Sequence, residues 1–339
     1  MYSAQDDLTE IYLSAVEEEL INAVNTVDEI GNPLLHEMLS YHMGWMGEPT
    51  NSESRGKRIR PLLVLISCSA AGGDWKNALP AAAAVELIHN FSLIHDDIED
   101  RSSLRRGRLT VWKKWGIPQA INAGDAMFAL AHLQLLHLNR SHSDSITLKS
   151  IKILHQACLH LTQGQYQDLS YENRGHVSLD EYWTMVAGKT AALLSASTEL
   201  GALSALDNEQ ICKCYRNFGK NLGMAFQVQD DYLGIWGNSL ITGKSNKSDL
   251  ATGKKTLPVL FGLERSNEFK ECWNKRMVNK ESINKMVHLL ELSGAKSYTQ
   301  AKANEHLDRA LHDLSDAHPT GFAGNLLMDM ATKLLYRQG

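Results

Sequence analysis

Several things are scarce in this 339-residue chain, and each scarcity closes off a class of function. No stretch approaches the roughly 18 to 20 consecutive apolar residues that a membrane-spanning helix needs. Cysteine is sparse: Cys68, Cys158, Cys212, Cys214 and Cys272 form neither an even set nor paired C-x-x-C units, which speaks against a disulfide framework and against a zinc site. A reducing compartment follows. Positive charge is not in surplus either, with 34 Lys+Arg against 39 Asp+Glu and a formal charge of -5, so a general nucleic-acid binder is excluded. The start of the chain, Met1 to Glu10, carries Asp6, Asp7 and Glu10 and lacks an apolar run. It therefore reads as neither a secretory signal nor an acid-poor transit peptide, and a cytoplasmic location is the expectation.

What is present is helix. Hydrophobic residues make up 43% of the chain, enough for a sizeable core. Ile151, Leu154, Cys158 and Leu161 follow helical spacing, and Val85, Ile88 and Leu93 sit in an alanine-rich, helix-favouring stretch. Breaks fall near Gly31-Asn32-Pro33, Gly47-Glu48-Pro49, Gly72-Gly73-Asp74, Gly116-Ile117-Pro118 and Gly237-Asn238. Hairpin signals are lacking, and residues 51–55 and 141–145 read as surface loops. Without a repeat, linker or boundary signal, residues 1–339 are expected to form one all-α domain, a bundle of about ten or more helices with a central cavity between them.

The run Glu86-Leu-Ile-His89-Asn-Phe91-Ser92-Leu-Ile-His95-Asp96-Asp97-Ile-Glu99-Asp100 predicts one helix, with Asp96 and Asp100 one turn apart and Asp97 flanking them. Carboxylates so close raise one another's pKa unless a positive charge lies between them. Magnesium does this through one or two carboxylates plus substrate phosphates. A bare D-D-x-x-D is more often a solvated acidic helix end. Here, however, Arg101, Arg105, Arg106 and Arg108 follow at once, guanidinium groups suited to bidentate phosphate contacts.

A second acidic pair, Asp230-Asp231, stands one turn after Gln227 and ahead of a glycine- and lysine-rich segment carrying Lys244 and Lys254. Lysine can meet a phosphate from a flexible stem, so this segment could clamp an anion and exclude water. A third basic group, Arg55-Gly56-Lys57-Arg58-Ile59-Arg60, leads into the helices that bear the first aspartates and reads as a second phosphate site.

Taken in order, G-K-R-x-R-P, S-L-I-H-D-D-x-x-D, L-R-R-G, G-Q-x-x-D-L, F-Q-x-x-D-D and G-K-x-x-x-x-D-L-x-x-G-K-x-T-L-P resemble the trans-type polyprenyl (isoprenyl) diphosphate synthase family, short-chain branch. The likeness covers roughly Arg55 to Pro258. It implies the isoprenoid synthase fold, and Asp96, Asp97, Asp100, Asp230 and Asp231 as ligands, direct or through water, of about three magnesium ions that bind an allylic diphosphate. By the same resemblance Lys57, Arg60, His89 and Arg106 would hold the diphosphate of isopentenyl diphosphate. Arg105, Lys189, Thr190, Gln227, Lys244 and Lys254 would contact the allylic substrate, with Lys189 counted beside the aspartates as catalytic. The chemistry implied is ionisation of a dimethylallyl, geranyl or farnesyl diphosphate, attack by isopentenyl diphosphate and loss of a proton. A homodimer is implied as well. A terpene cyclase or a non-catalytic regulatory subunit on the same fold remains the alternative, though retention of Lys57, Arg60, His89 and Arg106 argues against the cyclase.

One position departs from the family pattern: Gly234 stands where many members carry a third aspartate. This either weakens metal binding or alters a contact behind the ligands. Product length in the family is set by bulk below the first aspartates, where the tail descends about 5.4 Å per helical turn. Phe91 and Ser92 occupy that level. The aromatic at Phe91 and the lack of an insertion between Asp96 and Asp100 favour the twenty-carbon product, geranylgeranyl diphosphate, with farnesyl diphosphate next. Gln165 and Asp168 share the face of Ile151, Leu154, Cys158 and Leu161, where bordering the cavity and a purely structural role both stay open. His132, His137, His155 and His160 lack metal-ligand spacing and read as packing or surface residues. Asp125 reads as a structural hydrogen-bonding residue.

Overall fold

Helical periodicity carries through to the structure, a computed structural model that describes residues 4–29, 31–48, 52–237, 248–275 and 279–335. The first helices are α1 (Ala4–Glu29), α2 (Pro33–His42), the single turn α3 (Ser52–Arg55), α4 (Ile59–Ala70), α5 (Leu79–Glu99), α6 (Val111–Trp115) and α7 (Ile117–Leu136). After them come α8 (Asp144–Glu172), α9 (Leu179–Val186), α10 (Ala192–Ala205), α11 (Glu209–Trp236), α12 (Ser248–Thr252) and α13 (Leu257–Arg265). Asn267–Asn274, Lys280–Leu292, Ala295–Asp316 and Gly321–Leu335 are also helical. Two compact units emerge, one of Met1–His155, Ala196–Lys213 and Pro319–Leu327, the other of Gln156–Ser195, Cys214–His318 and Met328–Gly339.

In the first unit α5 is the buried centre. Pro80 opens it, at a position where a missing amide hydrogen costs nothing, and the small side chains of Ala81, Ala82, Ala83 and Ala84 let neighbouring helices approach. Just before α4, Arg58 takes a left-handed φ of 46°. Its side chain explains the strain: it is buried and donates to Glu17 at 2.7 Å, to Glu86 at 2.8 Å and to the Met43 carbonyl at 3.2 Å. One guanidinium thus ties α1, the end of α2 and α5, and breaking such a buried pair costs several kcal/mol, roughly 3 to 5.

Two expectations are corrected here. A short hairpin does form, Leu104–Arg105 (β1) pairing antiparallel with Arg108–Leu109 (β2). Its two turn residues, Arg106 and Gly107, have φ of 51° and 75°, the pair of positive values a two-residue type I′ turn requires. Arginine in place of Asn or Asp at the first turn position, and strands of only two residues, hid the signal. Residues 52–55 are likewise no loose loop, since Ser54 is buried and its hydroxyl donates to the Gly44 carbonyl at 3.4 Å. Gly44 has φ 85°, and a β-carbon there would lie 2.7 Å from the Ser54 backbone, so glycine is what allows this closeness.

In the second unit, Ser178 and Glu181 form a reciprocal capping box that starts α9. The helix runs on into a π-helical turn, Ala187–Ala191, before α10. Such turns widen the helix by one residue and re-aim the side chains they carry. The core here gathers Ile235, Leu250, Val259, Phe269, Met286, Leu289 and Leu290. Among the described residues no helix is long and apolar enough to cross a membrane.

Candidate functional site

In the first unit the structure draws together a set of arginine and histidine side chains from separate segments. Arg60 on α4 and His89 on α5 meet at 3.2 Å (Nη1 to Nε2). Arg106, held out on the hairpin turn, donates to the Ser54 carbonyl at 3.1 Å, and its guanidinium lies against Gly56, where a β-carbon would come within 2.6 Å of it. Burial, and then the neighbouring arginines 60, 106, 105 and 58, hold His89 well below the usual imidazole range, so it is neutral at pH 7. His42, at the end of α2, is lowered in the same way by burial and by Arg106, Arg105 and Arg58. Two buried nitrogens in this group, the donor Arg60 Nε and the ring Nε2 of His42, have no hydrogen-bond partner in the protein. Crowded guanidinium groups, one with an unsatisfied donor, are suited to an anion. Lys57 is exposed nearby in sequence. Of the set that the resemblance implies, the structure brings Arg60, His89 and Arg106 together, leaves Lys57 beside them only in sequence, and adds His42, which arrives from α2 with no spacing signal to mark it.

The first aspartates end α5 beside this patch. Asp97 is buried and takes both carboxylate contacts from Arg105 Nε, at 2.9 and 3.0 Å, while Arg105 Nη2 reaches Asp96 at 3.2 Å. Burial raises the Asp97 pKa, with the Arg105 bond working against that rise. Asp96 is only partly covered and Asp100 is exposed. Below them, Phe91 sets its ring edge-on to His95 at 5.1 Å and to Phe128 of α7 at 5.3 Å. The Ser92 hydroxyl is turned back to the His89 carbonyl at 2.7 Å. Asp125 does not make the structural hydrogen bond expected of it; two-thirds exposed, its carboxylate stands 3.8 Å from His95, beyond hydrogen-bond reach.

The second unit organises its groups around one buried carboxylate. Asp231 accepts from the Tyr182 hydroxyl at 2.6 Å, from the Leu257 backbone amide at 2.9 Å and from Gln227 Nε2 at 2.9 Å. The Thr190 hydroxyl donates to Gln227 Oε1 at 2.8 Å, which fixes the amide's orientation. Because Leu257 opens α13, Asp231 also sits at that helix's positive end. Burial nonetheless dominates and pushes the Asp231 pKa up to about 6. Asp230, next along, is exposed. Lys189, on the π-helical turn, pairs with Asp168 of α8. Gly164 makes that approach possible: a β-carbon on it would lie 2.1 Å from the Lys189 backbone nitrogen. Desolvation works against the Lys254 ammonium, but Asp168, Asp231, Asp249 and Asp230 together outweigh it and raise its pKa. Lys244 lies outside the described residues. Tyr182 was missed: its hydroxyl reaches Asp231 of α11 from α9, a juxtaposition made by packing with no spacing signal to mark it.

Within each unit the carboxylate oxygens are donors suited to a hard divalent cation, with Asp96 and Asp100 towards solvent in the first unit and Asp230 in the second. Among the described residues no three acidic, imidazole or thiol groups already converge to hold an ion. A metal here would therefore draw much of its shell from substrate phosphate and water, as magnesium commonly does.

Residues 45–291 match the model of the Polyprenyl synthetase family. The chain is 37% identical over 318 residues to a (2E,6E)-farnesyl diphosphate synthase of Mycobacterium bovis, covering 91% of this chain and 87% of the relative. It is 38% identical over 287 residues to a geranylgeranyl diphosphate synthase of Mycobacterium tuberculosis, covering 83% and 81%. The crystal structure of a geranylgeranyl pyrophosphate synthetase from Pyrococcus horikoshii matches with a TM-score of 0.88 at 30% identity, covering 98% of each chain. An all-α isoprenoid synthase fold, motif-bearing segments in family order and full-length relatives agree: this chain belongs to the polyprenyl synthetase family.

Proposed function

We propose that this chain, a trans-prenyltransferase of the short-chain prenyl diphosphate synthase type, condenses isopentenyl diphosphate with an allylic diphosphate to make geranylgeranyl diphosphate. The observation that carries the two-substrate reading is the basic patch of Arg60, His89, Arg106 and His42, whose unsatisfied Arg60 Nε a diphosphate would complete. A cyclase acting on one diphosphate has no use for such a patch.

In this reading Lys57, Arg60, His89 and Arg106 hold the diphosphate of isopentenyl diphosphate, and a neutral His89 can both donate to phosphate and accept from Arg60. Asp96, Asp97, Asp100, Asp230 and Asp231 would hold about three magnesium ions, directly or through water, and bound magnesium would supply neutralising charge to the leaving diphosphate. Arg105, Lys189, Thr190, Gln227, Lys244 and Lys254 orient the allylic partner. The allylic carbon–oxygen bond breaks and its electrons leave with pyrophosphate. The alkene of isopentenyl diphosphate then attacks the cation, and a proton is lost to the released pyrophosphate. Fixed charge and exclusion of water are the protein's share. With three hydrogen bonds already on Asp231, that residue aims its neighbours and Asp230 offers the outward oxygens.

Product length turns on Phe91, whose ring, braced by Phe128, floors the tail space. The 37% identity to a farnesyl diphosphate synthase makes the fifteen-carbon product the second reading. A homodimer is part of the proposal, supported by Ile117, Ile121, Leu133 and Leu136, large apolar residues exposed on one side of α7. So is a cytoplasmic location. Purified protein incubated with magnesium, isopentenyl diphosphate and each allylic diphosphate in turn should yield a prenyl diphosphate of geranylgeranyl mass. A cyclised hydrocarbon, or no magnesium-dependent turnover at all, would sink the proposal.

A further inference from the structure

The basic patch of the first unit adjoins two carboxylates that the proposed function leaves without a role. Arg58 stands between Lys57 and Arg60 in the chain and opens α4 with φ 46° and ψ 35°, a left-handed conformation that a residue with a β-carbon adopts only under constraint. Two glutamates supply the constraint. Glu17 of α1 accepts from Arg58 Nε at 2.7 Å on one oxygen and from Trp45 Nε1 at 2.7 Å on the other, so its carboxylate is fixed in direction as well as place. Glu86 of α5 is buried and accepts on a single oxygen from Arg58 Nη1 at 2.8 Å and from Asn90 Nδ2 at 2.9 Å. The turn that they hold also meets Arg106: Gly56 has φ 80°, and its backbone lies so close to the Arg106 guanidinium that a β-carbon would come within 2.6 Å of it. Burial lowers the pKa of Arg60, and burial together with Arg58 lowers that of Arg106, while Glu86 opposes the fall at both. The stretch from Gly56 to Arg60 thus owes its geometry, and part of its charge balance, to two carboxylates outside it.

We propose that Glu17 and Glu86 are positioning residues for the isopentenyl diphosphate site and act through Arg58. Gripped from α1 and α5, the Arg58 guanidinium holds the left-handed turn, and that turn fixes where Lys57 and Arg60 leave the chain and where Gly56 backs Arg106. The inference rests on the proposed function and names what keeps that site in shape. It also gives α1 a task. That helix lies ahead of the Arg55–Pro258 segment in which the motifs fall, yet one of its side chains reaches the turn that carries two of the proposed diphosphate ligands.

Steady-state kinetics of the full chain with magnesium, varying isopentenyl diphosphate and the allylic diphosphate separately, test this. Glu17→Gln keeps the size of the side chain and one acceptor oxygen but gives up the charge. It should raise KM for isopentenyl diphosphate by about two- to thirty-fold, the range for changes along a network that touches no ligand, and leave kcat and KM for the allylic diphosphate unchanged. Calorimetric binding of isopentenyl diphosphate alone should weaken by the same factor. Glu86→Gln should act in the same direction and further, because the charge it leaves unpaired is more deeply buried. Arg58→Lys should raise the same KM, and adding Glu17→Gln to it should bring little more, since both changes release one turn. Urea midpoints identify any variant that is merely unfolded, and Glu17→Gln, at a side chain 17% exposed, keeps the test open if the deeper changes prevent folding. A wild-type KM for isopentenyl diphosphate in Glu17→Gln, a rise of both KM values together, or full additivity with Arg58→Lys would each overturn the inference. Wild-type protein that neither binds nor consumes isopentenyl diphosphate would instead overturn the function on which it rests.

Discussion

Replacing Asp231 with Asn should make the metal-free protein more stable at neutral pH. Asp231 is 3% exposed, and burial lifts its pKa from 3.8 to about 6. The folded chain therefore keeps a proton that the unfolded chain has already released. Stability is lost as pH rises through the window from the unfolded value to the folded one, and the loss is complete above it. A rise of about two pKa units corresponds to about 3 kcal/mol. Asn carries no such proton but has one acceptor oxygen where Asp has two. It can keep Tyr182 and Leu257 on that oxygen, while Gln227 must turn its amide, at a cost of about 1 kcal/mol. The expected net gain is about 2 kcal/mol at pH 7.5. Urea denaturation in chelator from pH 4 to 8 would measure it, with the difference between variant and wild type widening across the window from about pH 4 to 6 and level above. A variant that is less stable at every pH, or separated from wild type by a constant amount, would refute the reasoning. The same variant should lose magnesium pyrophosphate binding, a stability gained at the expense of function.

Phe91→Ala removes a ring that Phe128 and His95 hold edge-on, so product mass should shift upward in a product-profile assay. An unchanged profile would show that the tail does not reach this level. Gly164→Ala sets a methyl group 2.1 Å from the Lys189 backbone nitrogen, where no rotamer offers escape. It should lower the urea stability by up to about 3 kcal/mol and misplace Lys189 and Thr190, with kcat falling in step.

Local pattern made α5 readable, since its apolar periodicity and the spacing of Asp96 and Asp100 depend only on neighbours along one helix. Lys189-Thr190 was readable as a pair, but the π-helical turn that presents it was not, because widening a helix by one residue leaves no compositional mark. His42 joins Arg60 and His89 only through packing of α2, and Arg58 looked like one more member of a basic run until Glu17 and Glu86 closed around it. The hairpin was missed because its turn begins with Arg106, whose left-handed backbone is stabilised by where its side chain lands. Nothing local to Asp168 marks its partner, and the close approach of backbones that Gly164 permits is what pairs it with Lys189.

The hairpin between Asp100 and Val111 also bears on how this segment can change over time. Arg105 turns to Asp97 and Asp96, while Arg106, one residue on, turns away to the Ser54 carbonyl. Side chains that adjoin in sequence serve different partners because the strand ends and the turn begins between them. Insertion or deletion of a single residue there would hand each arginine the other's direction. Point substitutions can be absorbed gradually, whereas the length of this loop is fixed by counting.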